Sequence, residues 1–297
     1  MRQIQISDAL IARELDSSGY VVVPGLDETT VKDLCRSIYE EIRFACPEKV
    51  NYNSGADLTG SVRGRAFECI ASAFAPVLDR YFQSYECIVG ILFVKRPSTV
   101  LAGHIQLHCD PTLLPDESRQ RHINIWAPLI DVDEKNGALC LVPGAHKVFA
   151  PVHSFSVPSQ FARIADTVME YGRCVPMKAG DALIFDNRMP HFSRQNLSSF
   201  DRPAAILSIV PSESEFISLF GGAGGEFPIE VYRQPSSWYK NTEWINDRER
   251  PQTGTYLGRL NWTPHAMSHD EFVDRLEIGV EIQYEFGLLR ADVDTRS

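Results

Sequence analysis

The sequence predicts a mainly β protein whose core is a sandwich or barrel of short strands. Four apolar runs carry this prediction, because each is short and is bounded by polar or turn-forming residues. Their content of β-branched and aromatic residues favours strands over helices. The runs are residues 87–94, 122–130, 182–185 and 204–210.

Helices that support this core are predicted within residues 1–85. Ser7 or Asp8 can cap a first helix and Asp27 a second, since short polar side chains accept hydrogen bonds from a helix's first turn. Apolar residues recur at helical spacing between 31 and 42, and again between 67 and 81. We expect these helices to pack against the outside of the barrel.

An ordered, aromatic-rich extension is predicted for residues 212–297. Ser268 followed by Glu271 is a capping-box signature for a final helix. The extension is expected either to cap the barrel or to meet a second subunit, which would make a homodimer. The whole chain, 1–297, is expected to be one domain with its core at 86–211.

The composition excludes several classes of function. With 297 residues, of which 44% are hydrophobic, the chain can bury a sizeable core. A net charge of −10 without a basic stripe argues against nucleic acid as a partner. The start of the chain lacks the apolar core of a signal peptide, and no run is long enough to cross a membrane.

The seven cysteines are scattered, odd in number and free of any CxxC pair. This pattern favours reduced thiols over a disulfide framework or a zinc site. Together with the lack of targeting signals, it predicts a soluble cytoplasmic protein.

His108, Asp110 and His191 are the candidate metal ligands. On a strand, side chains at i and i+2 point to one face, so His108 and Asp110 can reach one ion. Two imidazoles and one carboxylate form the facial triad of non-haem Fe(II) oxygenases, which leaves coordination positions open. A lone HxD motif more often marks a surface histidine beside an aspartate, so the interpretation depends on its surroundings.

Arg202 lies eleven residues after His191, directly before an apolar run. An arginine at the mouth of a barrel can bind a carboxylate through two hydrogen bonds. Its distance from His191 fits a dicarboxylate that also chelates the metal, although an ordinary surface arginine would look the same.

His122, Asn124 and Trp126 alternate on one face of a predicted strand. We expect this face to look into the barrel, with His122 as a hydrogen-bonded pocket residue and not a ligand.

The chain resembles the phytanoyl-CoA dioxygenase family of Fe(II)/2-oxoglutarate-dependent oxygenases. The segments that carry the resemblance are Ile91–Pro97, Leu107–Asp110, Trp126, Asn136–Lys147, Gly180-Asp181, His191, Ser193 and Arg202.

The resemblance implies a double-stranded β-helix (a jelly-roll, cupin-like core) and a set of site residues. His108, Asp110 and His191 would bind Fe(II). Arg202 and Ser193 would bind the distal carboxylate of 2-oxoglutarate, and Trp126 and Ile91 would line this co-substrate. Gln106, on the strand face of His108, is a candidate for a further polar contact or a pocket wall. Related halogenases have a small residue where this chain has Asp110, so hydroxylation is favoured over halogenation.

The resemblance implies a dioxygenase that uses Fe(II), 2-oxoglutarate and O2 and releases succinate and CO2. Hydroxylation of an unactivated C–H bond in a small natural product or metabolite is the expected reaction. An acyl-CoA hydroxylase, an O2-independent cupin-like metalloenzyme and a jelly-roll binding protein are the alternatives. The segments expected to form the substrate pocket are the loops 46–65, 111–121 and 156–171 and the C-terminal extension.

Overall fold

The computed structural model describes residues 3–40, 48–58, 60–222, 228–241, 249–260, 262, 266–279 and 288–289. Within them the chain mixes helices with several antiparallel sheets, so it contains more helix than the predicted mainly β class. The helices are α1 Ala9–Ser17, α2 Glu28–Leu34, α3 Ser54–Asp57, α4 Gly60–Tyr81, α5 Ala165–Glu170, α6 Ser236–Lys240 and α7 His269–Ile278. A π-helical segment, Cys35–Tyr39, extends α2, and 3-10 turns cover Leu101–Gly103, Glu134–Asn136 and Ala145–Lys147.

The strands pair antiparallel throughout the described residues. They are β1 Gln5–Ile6, β2 Tyr20–Val23, β3 Asn51–Asn53, β4 Phe82–Gln83, β5 Tyr85–Lys95, β6 Ile105–His108, β7 Ile123–Pro128, β8 Leu139–Leu141, β9 Arg173–Cys174, β10 Ala182–Asp186, β11 His191–Ser193, β12 Arg202–Pro211, β13 Phe216–Phe220, β14 Ile229–Gln234, β15 Thr255–Leu260 and β16 Leu288–Leu289.

Two sheets enclose the central cavity. The larger sheet has the strand order β2-β10-β7-β12-β5-β3, and the smaller has the order β6-β11-β8-β9. Side chains from both sheets, such as Trp126 of the larger and His191 of the smaller, line one cavity of about 190 Å³. The predicted strands at 87–94, 122–130, 182–185 and 204–210 correspond to β5, β7, β10 and β12, all in the larger sheet.

Helices cover the face of the larger sheet that points away from the cavity. Ile11 of α1 and Phe74 of α4 share a buried cluster with Ile125 of β7 and Leu207 of β12. Because side chains alternate along a strand, the neighbours Asn124 and Trp126 point into the cavity instead. Each fully buried apolar side chain contributes roughly 1.5–3 kcal/mol, so this layer fixes the sheet that carries half of the site.

The predicted helix caps are confirmed at three positions. Asp8 accepts hydrogen bonds from Leu10 N and Ile11 N, at 2.8 and 3.2 Å. Asp27 accepts from Thr30 N at 2.7 Å, and Ser268 accepts from Glu271 N at 3.2 Å.

The predicted loop 156–171 contains one short helix, α5, whose buried side chain is Val168. Of the loop 46–65, residues 46, 47 and 59 lie outside the described part. The predicted helix 31–42 likewise runs beyond the described residues at its end.

The C-terminal extension forms its own antiparallel sheet, in the order β13-β14-β15-β16. Phe216 and Trp238 pack with Val89 and Leu113 of the core, and Phe272 of α7 stacks on Phe149. The described parts of the extension therefore pack against the core. Its role in a homodimer stays a prediction, and Trp244 and residues 223–225 lie outside the described part.

The prediction that all cysteines are reduced is wrong for one pair. Cys140 and Cys174 form a disulfide between β8 and β9. The two residues are 34 positions apart, but the antiparallel register places them directly opposite each other. Cys35, Cys69, Cys87 and Cys109 are free, and Cys46 lies outside the described residues.

Among the described helices, none combines the length and the apolar character that a membrane-spanning segment needs.

Candidate active site

The three predicted ligands converge at one end of the smaller sheet. His108 is the last residue of β6 and pairs directly with His191, the first residue of β11. Asp110 follows two residues after β6 ends. One ligand atom from each of His108, Asp110 and His191 lies within 4.8 Å of the other two. Such a cluster can hold one metal ion and leave other coordination positions open.

Both histidines are held in the tautomer that a metal requires. His108 Nδ1 donates a hydrogen bond to the carbonyl oxygen of Gln106 at 2.8 Å, and His191 Nδ1 donates to that of Met189 at 2.9 Å. These bonds leave each Nε2 lone pair free to point at a metal. The Nε2 atoms lie 3.8 Å (His108) and 4.0 Å (His191) from the carboxylate oxygens of Asp110.

Burial keeps His191 in its neutral form. Desolvation, with a further contribution from nearby His108, lowers the pKa of His191 to about 4. A neutral imidazole is the form that binds metals, so His191 is ready to act as a ligand across the neutral pH range.

Asn124 holds the carboxylate ligand in place. Its side-chain amide donates to Asp110 Oδ2 at 2.9 Å and to Asn187 Oδ1 at 3.0 Å. The hydroxyl of Ser208 donates to Asn124 Oδ1, which fixes the orientation of the amide. Ser208 lies opposite Asn124 in the β7–β12 ladder. Asn124 and Ser208 belong to the larger sheet. This sheet therefore orients Asp110, which lies just after β6 of the smaller sheet.

A buried cation without a hydrogen-bond partner lies at one end of the cavity. Arg202, the first residue of β12, is 2% exposed, and its Nε and Nη1 have no hydrogen-bond partner. Its guanidinium carbon lies 5.4 Å from the ring centroid of Trp126 and 5.7 Å from that of Phe93. Burial lowers its pKa to about 9, so it remains cationic at neutral pH. An unpaired buried charge destabilises the folded protein by several kcal/mol, so an anionic ligand beside Arg202 would be stabilising.

Three other predicted residues line the same cavity. They are Ile91, Trp126 and Ser193. All three are buried, and Ile91 and Trp126 both flank Ile206 in the β5-β12-β7 part of the larger sheet. The structure therefore brings them together with the metal ligands and Arg202, as the resemblance implies.

Gln106 does not share this position. Its side chain is exposed and is not part of the cavity wall, whereas Ile105 is. The reason is a register shift between β6 and β11: His108 pairs with His191, but Ile105 pairs with Ser193. Such a bulge breaks the strict alternation on which the prediction for Gln106 depends. Gln106 contributes to the site through its carbonyl oxygen, which accepts from His108.

Asn187 and Glu117 are buried residues that join the loop 111–121 to the site, and no sequence pattern indicates them. Asn187 Nδ2 donates to the carbonyl oxygen of Pro111 and to Glu117 Oε2, both at 3.1 Å. Glu117 Oε1 accepts from Leu113 N at 2.8 Å. Glu117 lies in the polar run PDESRQR, which is typical of a solvated loop. Only the fold shows that its carboxylate is 1% exposed.

Comparison with known proteins agrees with this site. The family model for phytanoyl-CoA dioxygenase (PhyH) matches residues 15–204, a span that includes all three ligands and Arg202. The chain belongs to the phytanoyl-CoA dioxygenase family. It is therefore a member of a family of Fe(II)/2-oxoglutarate-dependent oxygenases, and the resemblance stated from the sequence is confirmed.

Among curated relatives, phytanoyl-CoA dioxygenase domain-containing protein 1 of Danio rerio is 27% identical over 127 residues. The match covers 40% of this chain and 43% of the relative, so the similarity spans less than half of that protein.

Two solved structures are similar to this chain. One is SnoK, a non-heme alpha-ketoglutarate-dependent carbocyclase from nogalamycin biosynthesis. It is 19% identical with a TM-score of 0.50, and the match covers 70% of this chain and 86% of SnoK. HygX from Streptomyces hygroscopicus, solved with nickel and 2-oxoglutarate bound, is 18% identical with a TM-score of 0.48 over 69% of this chain and 88% of HygX. The likeness to SnoK concerns the fold alone.

Proposed function

We propose that this protein is an Fe(II)- and 2-oxoglutarate-dependent dioxygenase that hydroxylates an unactivated C–H bond of a small organic substrate. The observation that carries the proposal is the pairing of the His108–Asp110–His191 cluster with the buried, unpaired cation of Arg202 in one cavity. A metal alone would account for the cluster. A metal-chelating ligand that is also anionic at its far end accounts for both features. The two sheets that enclose the cavity fit a double-stranded β-helix core.

The residues present fit both groups. His108, Asp110 and His191 would hold Fe(II) through two Nε2 atoms and one carboxylate oxygen. Arg202 would pair with the distal carboxylate of 2-oxoglutarate, with Ser193 beside it and Trp126 and Ile91 as walls. When bound, the iron and 2-oxoglutarate supply O2 activation, and succinate and CO2 are released. The protein fixes the ligand geometry and presents one C–H bond of the substrate.

The dimensions of the cavity support a small substrate. Its volume of about 190 Å³ must also hold the co-substrate, and most of its lining is apolar. Tailoring of a natural product or metabolite agrees with this size better than enclosure of a whole CoA ester, whose nucleotide would have to remain outside.

The decisive experiment measures succinate release from 2-oxoglutarate with Fe(II) and O2, across a panel of natural products, amino acids and acyl-CoAs. We expect iron- and O2-dependent succinate that one substrate class stimulates. The His108→Ala and Asp110→Ala variants should release none while their unfolding transitions remain cooperative.

Arg202→Ala should raise the apparent KM for 2-oxoglutarate. Arg13→Ala, which removes an exposed arginine, is its control and should behave as the wild type. Metal binding without succinate under any condition would shift the assignment to an O2-independent metalloenzyme. Failure to bind metal at all would indicate a binding protein.

A further inference from the structure

His122 is the second cavity-lining side chain with buried nitrogens that lack a hydrogen-bond partner. Within the described residues, only Arg202 and His122 both line the cavity and have buried side-chain nitrogens without a hydrogen bond. Neither ring nitrogen of His122 has a hydrogen-bond partner, and the side chain is only 2% exposed to solvent. The sequence predicts that His122 is a hydrogen-bonded pocket residue. His122 does line the pocket, but its ring nitrogens have no hydrogen bonds. An unsatisfied buried polar group costs about 1–3 kcal/mol, which a ligand can recover.

His122 and Arg202 lie on opposite sides of the cluster of candidate metal ligands. The cavity is lined by three side chains at alternate positions of one segment: His122, Asn124 and Trp126. His122 directly precedes β7, and its carbonyl oxygen accepts a hydrogen bond from Asn187 N at 3.0 Å, which continues the pairing between β7 and β10. Trp126 lies against Arg202, and Asn124 bonds the ligand Asp110. At roughly 3.3 Å per residue, His122 is about 13 Å along the strand from Trp126. It therefore lies beyond the candidate metal ligand Asp110, on the side away from Arg202.

Other polar side chains on this side of the cavity are already engaged. Asn124 and Asn187 bond Asp110, Glu117 and each other, and Ser208 donates to Asn124. The charged residues of the described cavity wall are Asp110 and Arg202, which the proposed function assigns to iron and 2-oxoglutarate. No charge is left on this wall for the substrate.

The carboxylate of Glu117 sets the hydrogen-bonding role of His122. Glu117 Oε1 lies 3.5 Å from His122 Nδ1, and the acid is fixed by bonds from Leu113 N and from Asn187. A carboxylate beside one ring nitrogen favours the tautomer with hydrogen on that nitrogen, because two lone pairs would otherwise face each other. In this tautomer Nε2 carries no hydrogen and is an acceptor.

We propose that His122 is a specificity-determining residue whose Nε2 accepts a hydrogen bond from the hydroxyl group of an uncharged, otherwise apolar substrate. This inference rests on the proposed function only for the statement that the occupant of this end is the substrate. The contact itself involves neither metal nor 2-oxoglutarate, so it can be tested without them.

The experiment uses two probe sets of matched size. Cyclohexanol, cyclohexanone and methylcyclohexane form the cyclic set, and 1-hexanol, 2-hexanone and hexane form the linear set. In each set the first member offers a donor, the second an acceptor only, and the third neither. Binding to the full chain is titrated by ligand-detected NMR, once with Zn(II), which has no redox chemistry, plus 2-oxoglutarate, and once with metal-free protein.

We expect at least one alcohol to bind the wild type about five- to tenfold more tightly than its ketone and hydrocarbon counterparts. His122→Phe should remove that preference. His122→Gln, whose side-chain oxygen can also accept, should retain part of it. His153→Phe replaces another buried histidine that is not part of the cavity wall, and should leave the preference unchanged.

An alcohol preference that is absent from the wild type, or that persists in His122→Phe, would overturn the proposal. Each variant is also checked for a cooperative unfolding transition, so that loss of the fold is not mistaken for loss of the contact. If 2-oxoglutarate fails to bind the Zn(II)-loaded wild type, the proposed function is wrong, whereas the titrations of metal-free protein still decide the role of His122.

Discussion

The side-chain amide of Asn124 donates a 2.9 Å hydrogen bond to Asp110 Oδ2, and both ligand histidines bond main-chain carbonyls through Nδ1. Each of the three candidate ligands therefore has its orientation fixed before any metal binds. Asn124 itself is 2% exposed and is held by Ser208, so this arrangement belongs to the buried interior between the two sheets.

Asn124→Ala should weaken metal binding about 10- to 100-fold, which is the usual cost of losing a group that orients a metal ligand. The free carboxylate of Asp110 would then sample orientations that do not face the histidines. Competition titration with Zn(II) or Co(II) and a chromophoric chelator measures this affinity directly.

Asn136→Ala is the matched control for that experiment. Asn136 is also buried and also uses its amide within the fold, donating to the carbonyl oxygen of Asp131 at 2.8 Å, but it lies outside the cavity wall. Both variants should lose stability, and only Asn124→Ala should lose metal affinity. Equal metal affinities for the two variants would show that Asn124 acts only on the fold.

Arg202→Met should stabilise the protein without ligand and weaken its binding of 2-oxoglutarate. The variant removes a buried charge that has no partner, and we expect the free energy of unfolding to rise by about 2 kcal/mol. Loss of a charge-assisted, two-point contact should raise the Kd for 2-oxoglutarate roughly 100-fold. Urea unfolding with and without 2-oxoglutarate tests both effects.

Arg202→Lys separates charge from shape in the same measurement. It keeps the cation but lacks the planar fork, so its affinity for 2-oxoglutarate should lie between those of the wild type and Arg202→Met. A ligand-free Arg202→Met that is less stable than the wild type would contradict the view that the guanidinium is unpaired.

The sequence was sufficient to locate the candidate metal site because its residues follow a local rule. His108 and Asp110 are two residues apart, and His191 follows a recognisable turn and buried strand. The position of Arg202 could be predicted because this residue precedes the apolar run 204–210. These positions depend on spacing within short segments, which a sequence shows directly.

Features that depend on pairing between distant segments of the chain could not be predicted from local spacing. Strict alternation from His108 placed Gln106 in the cavity, but the bulge opposite β11 turns Ile105 inward instead. The bond between Cys140 and Cys174 depends on the β8–β9 register, and the burial of Glu117 depends on its amide partner Asn187. In each case the deciding neighbour is remote in sequence.

Reduction of the Cys140–Cys174 disulfide should lower the free energy of unfolding by about 3–4 kcal/mol, as estimated from the entropy of closing a loop of this length. The edge strand β9 is tied through this bond to β8, which pairs with the strand that begins with His191. Urea unfolding with and without a reductant measures the loss.

Cys174→Ser should reproduce the loss without a reductant, and Cys35→Ser, which removes a free thiol, should not. If the reductant destabilises Cys174→Ser as much as the wild type, its effect does not come from this bond.

Stability should fall as the pH drops from about 6.5 to about 4, because buried His146 must stay neutral in the folded protein. Burial lowers its pKa to about 4 from the usual 6.5, and neither ring nitrogen has a hydrogen-bond partner. Between these values the unfolded chain binds more protons than the folded one, so the free energy of unfolding rises with pH. The contribution is complete above pH 6.5 and amounts to about 3 kcal/mol.

Urea unfolding at several pH values between 4.5 and 7 tests this with His146→Leu. The variant should show a shallower dependence on pH than the wild type, since one titrating group has been removed. His269→Leu is the control, because His269 is exposed and begins α7 at the surface. A slope that is as steep in His146→Leu as in the wild type would assign the acid sensitivity to other groups, of which buried His153, with a pKa also lowered to about 4, is the first to test.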